Sequence, residues 1–310
     1  MTEPIEVAFI GLGNMGFPMV SRLVAAGHRV NGYDVSPDAL GRLAEIGARG
    51  RPSAEAAADG ASVIVLMLPN SAIVQSVVDQ LVAAGAVAGR VIVDMSSSEP
   101  VATRELAARL AAAGVPLVDA PVSGGVGGAE KGTLTIMVGG DDEAFDRVQP
   151  VLTELGRPIR TGPVGSGHAI KALNNLLSAT HLWATSEAME AGAAFGLDPE
   201  VMLEVFNTSS GRSGSTEAKW PKFVLPGGYD SGFGLALMLK DMRIAEGLAG
   251  SIGAPHDLGS RAVELWATAA DRLPPGADHT EVARWVAALG DPDRPGHAAP
   301  NPLEGVASDV

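Results

Sequence analysis

The chain has 310 residues, room for two domains, with 46% hydrophobic residues, no cysteine and a net charge of −14. So acidic a surface disfavours nucleic acid and anionic membrane as partners. The lack of cysteine excludes disulfides, thiolate nucleophiles and cysteine metal sites. No apolar run reaches membrane-spanning length, and the first six residues carry two glutamates and no basic stretch, so neither a membrane span nor a secretion signal is expected. A cytoplasmic protein is the expectation.

Residues 7–10 (Val-Ala-Phe-Ile) read as a buried parallel strand. Gly11-Leu12-Gly13-Asn14-Met15-Gly16 follows at once, then a helical stretch with Pro18 early and Gly27 as its stop. A GxGxxG turn between a strand and a helix is a dinucleotide fingerprint. Gly11 makes the tight turn, Gly13 lets the backbone approach a pyrophosphate, and Gly16 lets helix and strand pack closely. Residues 28–34 read as a second strand ending on Asp34, 23 residues after Gly11. That is the position of the carboxylate that holds the adenosine ribose hydroxyls. It would repel a 2′-phosphate, and Val35, Ser36 and Pro37 add no cation, so NAD is expected over NADP.

Further strands are read at 61–68, 91–93, 115–118 and 132–140, separated by Ala-rich helices, with a helix at 141–155 and a short strand and turn at 156–163. Alternating strands and helices predict an α/β, doubly wound, Rossmann-type sheet over residues 1–163. Ligands collect beyond the carboxyl ends of such strands, which singles out Leu68, Pro69 and Ser97 as cofactor neighbours. Residues 119–129 read as a glycine-rich loop in which Ser123, Gly124 and Gly125 offer a hydroxyl and unhindered backbone N–H groups to an anion such as a carboxylate.

Strand signals stop after Pro163. Residues 166–194 read as one long helix, a spine between domains, with Ile170, Leu173, Leu176, Leu177, Leu182 and Trp183 as its apolar residues. Lys171 stands among them, with Asn174, Asn175 and Ser178 placed to share its face. A lysine in an apolar setting is costly unless paired or useful, so a polar catalytic strip on a buried helix is one reading and a snorkelling surface lysine the other. A helix starts at Asp198-Pro199, residues 207–215 read as a polar loop, and 220–233 as irregular. The run 235–245 is helical, with Lys240 and Asp241 inside it. Helices at 259–270 and 280–289 complete an all-α domain over 164–290, and 291–310 reads as an irregular tail. The six histidines are scattered, so no metal is expected.

The stretches 11–19, 119–140, 165–175 and 233–241, in this order and spacing, resemble the β-hydroxyacid dehydrogenase family. The resemblance implies that Lys171 is the catalytic lysine. It also implies that Ser123, Gly124 and Gly125 bind a substrate carboxylate, that Asn175 holds substrate and lysine, and that Lys240 lies at the nicotinamide end. It implies a substrate site between the two domains and a homodimer or homotetramer with the long helix at subunit contacts. The expected reaction is NAD-dependent oxidation of a small 3-hydroxy carboxylic acid, most like 3-hydroxyisobutyrate to methylmalonate semialdehyde. Tartronate semialdehyde or glyoxylate reductases and threonate-type dehydrogenases are alternatives within the family. Imine reductases usually lack a lysine at the position of Lys171, which speaks against that reading and against a non-catalytic scaffold.

Overall fold

The computed structural model describes residues 3–290. They form two compact units. The first takes the chain to Leu176 together with Lys240–Asp257; the second takes Leu177–Leu239 and the chain from Leu258 on.

The first unit is built on a nine-stranded sheet. Its strands are β1 (Glu6–Ile10), β2 (Arg29–Tyr33), β3 (Arg49–Gly50), β4 (Val63–Leu66), β5 (Val91–Asp94), β6 (Leu117–Asp119), β7 (Val122–Ser123), β8 (Leu134–Gly139) and β9 (Gly156–Gly162). Their order is β3-β2-β1-β4-β5-β6-β8-β7, with β9 paired to β8. From β3 to β6 every pairing is parallel. Strand β8 runs antiparallel to β6 and β7 and parallel to β9.

The continuous apolar runs read from the sequence reflect burial on both faces. Val7, Phe9, Val63, Val65, Val91 and Val93 point into one core. Their alternates Ala8, Ile10, Ile64, Leu66 and Ile92 point into the other. The first core receives Met19, Val20 and Leu23 of helix Gly16–Ala25 and Val148, Val151 and Leu152 of helix Asp142–Leu155. The second receives Val74, Val78 and Leu81 of helix Ser71–Ala83 and Leu106 and Leu110 of helix Pro100–Ala111. Strand order reverses between β1 and β4, which opens the crevice where doubly wound sheets bind ligands.

The second unit is helical. After the long helix Ser166–Phe195 come Pro199–Thr208, Asp257–Arg272 and Glu281–Leu289. Asp198 caps the helix that Pro199 opens, accepting from the N–H groups of Glu200 and Val201. Asp278 gathers donors from Ser231, Gly232, Phe233 and Thr280 and so ties the 231–233 loop to the last helix.

Three expectations change. The glycine-rich stretch after Ser123 closes into a helix, Gly125–Lys131, because Gly128 and Ala129 bury against Leu134. Ser215–Val224 is a π-helix rather than loop and irregular chain. Its wider turn buries both Trp220 and Val224 and is closed by Leu225 N–H on Trp220 O. The long helix buries its apolar set only in part: Leu182 and Trp183 are buried, but in the first turns Ile170, Leu173 and Leu177 are exposed while Lys171 and Asn175 are buried. Asn174 is exposed, but its Nδ2 donates to Asn175 Oδ1 at 3.2 Å. The strand signal ends at Gly162, near the expected boundary at residue 163, but the first turns of the long helix pack with the sheet, and the compact units divide at Leu176. The tail read at 291–310 lies outside the described residues.

Candidate active site

The turn after β1 is built as a dinucleotide turn requires. Gly11 has φ +99°, and a Cβ there would collide with the Met67 carbonyl. A Cβ on Gly16 would strike Gly11 O, so the helix can start this close to the strand only with glycine. At Gly13 no atom lies within 4 Å of the position a Cβ would take, which leaves its backbone open to an incoming group. Asp34 stands at the end of β2. Its Oδ2 accepts the Leu12 N–H at 2.7 Å and its Oδ1 the Ser36 N–H at 2.8 Å. Each oxygen retains a lone pair for a ribose hydroxyl.

A cleft of about 650 Å³ runs beside this turn, lined by Leu12, Gly13, Asn14, Asp34 and Arg42 among others. Arg42 was not visible as a neighbour of Asp34, because it stands eight residues further on; the short helix Pro37–Gly41 brings it back. Its guanidinium lies 3.8 Å above the Phe17 ring. The open Gly13 backbone, the ribose-facing carboxylate and the cleft together fit a dinucleotide. Among the described residues no cluster of His, Cys, Asp or Glu could hold a metal ion.

Around the carboxyl ends of β4 and β5 the first unit assembles its charged groups. The Leu68 N–H donates to Ser96 Oγ at 2.9 Å. Lys240 Nζ donates to Ser97 O at 2.9 Å and Pro69 O at 3.3 Å, and lies 3.4 Å from Asp241 Oδ1. Leu68, Pro69, Ser97 and Lys240, singled out separately in the sequence, are thus brought together. Asp241, missed as a site residue although it interrupts an apolar run, is 2% exposed, and its Oδ2 accepts from Asn175 Nδ2 at 2.6 Å. Its Oδ1 has no hydrogen-bond partner.

Lys171 lies one turn before Asn175 and is 8% exposed. Among the described residues no hydrogen bond holds its Nζ. Burial holds this lysine below the usual range; the Asp241 carboxylate opposes that fall and the Lys240 ammonium adds to it. A buried amine with no protein acceptor, beside a carboxylate and a fixed amide, can take or give a proton at a bound hydroxyl.

Ser123, at the end of β7, is half-buried, and Gly124 and Gly125 are exposed with φ of +134° and +63°. Among the described residues no hydrogen bond links them to Lys171 or Asn175. Ser178 does not extend the Lys171 strip: its Oγ accepts from Lys219 Nζ at 2.7 Å in the second unit.

Fold and site together define a dinucleotide-dependent dehydrogenase. Residues 6–165 match the NAD binding domain of 6-phosphogluconate dehydrogenase, and residues 165–286 match the NAD-binding domain of NADP-dependent 3-hydroxyisobutyrate dehydrogenase. A 3-hydroxyisobutyrate dehydrogenase of Pseudomonas aeruginosa is 41% identical over 293 residues, covering 90% of this chain and 97% of that protein. A 2-(hydroxymethyl)glutarate dehydrogenase of Eubacterium barkeri is 41% identical over 248 residues, 79% of this chain and 82% of its own. A solved Mycobacterium tuberculosis 3-hydroxyisobutyrate dehydrogenase with L-serine superposes with a TM-score of 0.86 at 33% identity, covering 91% of this chain and 99% of that one. The chain belongs to the β-hydroxyacid dehydrogenase family, and it is an NAD-dependent oxidoreductase acting on CH–OH groups.

Proposed function

We propose that the chain oxidises a small 3-hydroxy carboxylic acid, 3-hydroxyisobutyrate or a close analogue, to its semialdehyde. The observation that carries this reading is the buried Lys171 amine, which no hydrogen bond holds among the described residues, near the Asp241 carboxylate and one helical turn before Asn175. Neutral Lys171 accepts the proton of the substrate hydroxyl; in the reverse direction its ammonium returns that proton to the carbonyl oxygen. NAD, when bound, supplies the hydride acceptor. Asp241 takes the Asn175 N–H, and Asn175 Oδ1, which accepts from Asn174 Nδ2 at 3.2 Å, keeps its second lone pair for a hydroxyl. Ser123, Gly124 and Gly125 receive the carboxylate through a hydroxyl and accessible N–H groups. Gly11, Gly13 and Gly16, with Leu12, Asn14 and Met15 between them, receive the pyrophosphate. Asp34 takes the adenosine ribose. Lys240 holds the Pro69 and Ser97 loops at the nicotinamide end.

The compounds named for the relatives above — 3-hydroxyisobutyrate, 2-(hydroxymethyl)glutarate and L-serine — share a primary alcohol one carbon removed from a carboxylate-bearing carbon. They differ only in the third substituent on that carbon. The same class is therefore the substrate class proposed here. We place the protein in the cytoplasm as a homodimer or homotetramer. The exposed stripe Ile170, Leu173 and Leu177 on the long helix and the exposed Phe195, Val201 and Val205 in the second unit support self-association.

The test is a panel of these acids, with tartronate- and threonate-type compounds, assayed with NAD and with NADP. The expected result is highest kcat/KM for 3-hydroxyisobutyrate with NAD. Highest turnover on L-serine or on a dicarboxylic acid would replace the substrate. Equal use of NADP would contradict the role given to Asp34 and point to Arg42 as a phosphate partner.

A further inference from the structure

His168 opens the helix that carries Lys171, and its side chain is fully buried. Its Nε2 lies 3.1 Å from Ser96 O, its Nδ1 2.8 Å from Thr103 Oγ1, and its backbone N–H donates to Asp119 Oδ2 at 2.8 Å. A carbonyl oxygen only accepts, so the ring carries a proton on Nε2 and donates it to Ser96. Asp119 Oδ1 takes the Gly165 N–H at 2.6 Å, which fixes the helix start to the end of β6. Asp94 and Asp119 lie 3.7 and 3.8 Å from the ring nitrogens.

The Ser96 carbonyl is the point of interest. Ser96 Oγ already holds the Leu68 N–H, and the next carbonyl, Ser97 O, is held by Lys240. One bond chain therefore runs from the loop after β4, through the loop after β5, to a residue one helical turn before Lys171. Without the imidazole, the direct hydrogen bond between the helix and the Ser96 loop is lost.

We propose that His168 is a positioning residue that sets the distance between the Lys171 amine and the loop at residues 96–98. It rests on the reading of Lys171 and Ser97 given above. The ring does not meet substrate or cofactor. It acts through Ser96 on one side and through the helix register of Lys171 on the other. Misplacement of a reacting group by about 1 Å costs on the order of 100-fold in rate, so loss of this single bond has a kinetic consequence larger than its share of stability.

Three variants separate positioning from simple stability. His168→Gln can return an N–H at the Nε2 position; His168→Leu cannot; Thr103→Val removes the Nδ1 contact together with the Thr103 Oγ1 bond to Glu99 O, and leaves the Nε2 bond in place. Each is assayed for melting temperature, for kcat and KM, and for amide hydrogen exchange of residues 95–98. The expected result is that His168→Leu loses about tenfold or more in kcat with little change in substrate KM, and its residues 95–98 exchange faster. His168→Gln regains kcat to within about threefold, and Thr103→Val lowers melting temperature with kcat held within about threefold. Should His168→Leu not fold, the Gln and Val pair still decides. Overturning results are kcat that follows melting temperature across the variants, a Gln variant as slow as the Leu variant, or unchanged exchange at residues 95–98. If the wild type oxidises no hydroxy acid, the functional reading fails, while the exchange measurement still decides whether His168 holds the loop.

Discussion

Each of the two units carries a desolvated lysine, and the two are finished differently. Lys219, in the second unit, is pushed down to about 8 by burial, against the opposing charge of Asp278. Its Nζ is nevertheless bound twice, to Ser178 Oγ at 2.7 Å and Ser178 O at 3.3 Å. Lys171, in the first unit, is lowered by the same physical cause, but among the described residues its Nζ has no hydrogen-bond acceptor, and the charges of Asp241 and Lys240 act on it. Desolvation alone does not mark a functional amine. The unfilled hydrogen-bonding capacity does, because a satisfied ammonium is structure and an unsatisfied one is available to a ligand.

Lys171→Ala breaks the comparison most severely. General acid–base catalysis is worth roughly 10²–10⁴-fold, so kcat should fall by that order while NADH binding persists. Melting temperature should not fall, because the substitution removes a buried charge that nothing neutralises by hydrogen bonding. Steady-state kinetics and a thermal melt check both.

Asp241→Asn sharpens the electrostatic side. The Asp241 carboxylate raises the Lys171 pKa against the lowering by burial. Without its charge the pKa falls further. Oxidation uses the neutral amine, so the acid limb of kcat/KM should move to lower pH. Reduction uses the ammonium, so its alkaline limb should move the same way. Limbs that stay in place would remove Asp241 from the account.

Lys219→Ala should do the reverse of Lys171→Ala. Loss of the Ser178 contacts costs about 1–3 kcal/mol, several degrees of melting temperature, with kcat held within about threefold. The same lysine also sets a pH dependence. Lys219 falls from the free value of 10.5 to about 8 in the fold. Between those values the unfolded chain binds a proton that the folded chain releases, so stability rises with pH across that window. Denaturant midpoints measured between pH 8 and 10.5 should rise less in Lys219→Ala than in the wild type.

Much of the first unit was legible because its information is local. Glycines at 11, 13 and 16 between a strand and a helix have few other uses, and continuous apolar runs require burial on both faces. Lys171 and Lys240 stood out in the sequence as charges inside apolar runs, Asn175 as sharing the Lys171 face, and Ser97 by its place at the end of a strand. What escaped depends on tertiary placement. Arg42 reaches the Asp34 cleft only through an intervening helical turn, and Asp241 and His168 declare themselves only when Asn175 and Ser96 arrive beside them. The facing of the long helix's first turns escaped for a related reason. Helical spacing identifies a stripe, but it does not say that Ile170, Leu173 and Leu177 stay exposed while Lys171 and Asn175 turn inward and Leu182 and Trp183 are buried further along.

The central claim is that the Lys171 amine moves the proton. Chemical rescue tests it most directly: Lys171→Ala assayed for hydroxy-acid oxidation with added small primary amines. The account predicts that turnover, lost in the variant, returns in proportion to the free-base amine concentration, while the wild type gains nothing. A variant that oxidises the acid at the wild-type kcat with no amine added would contradict it.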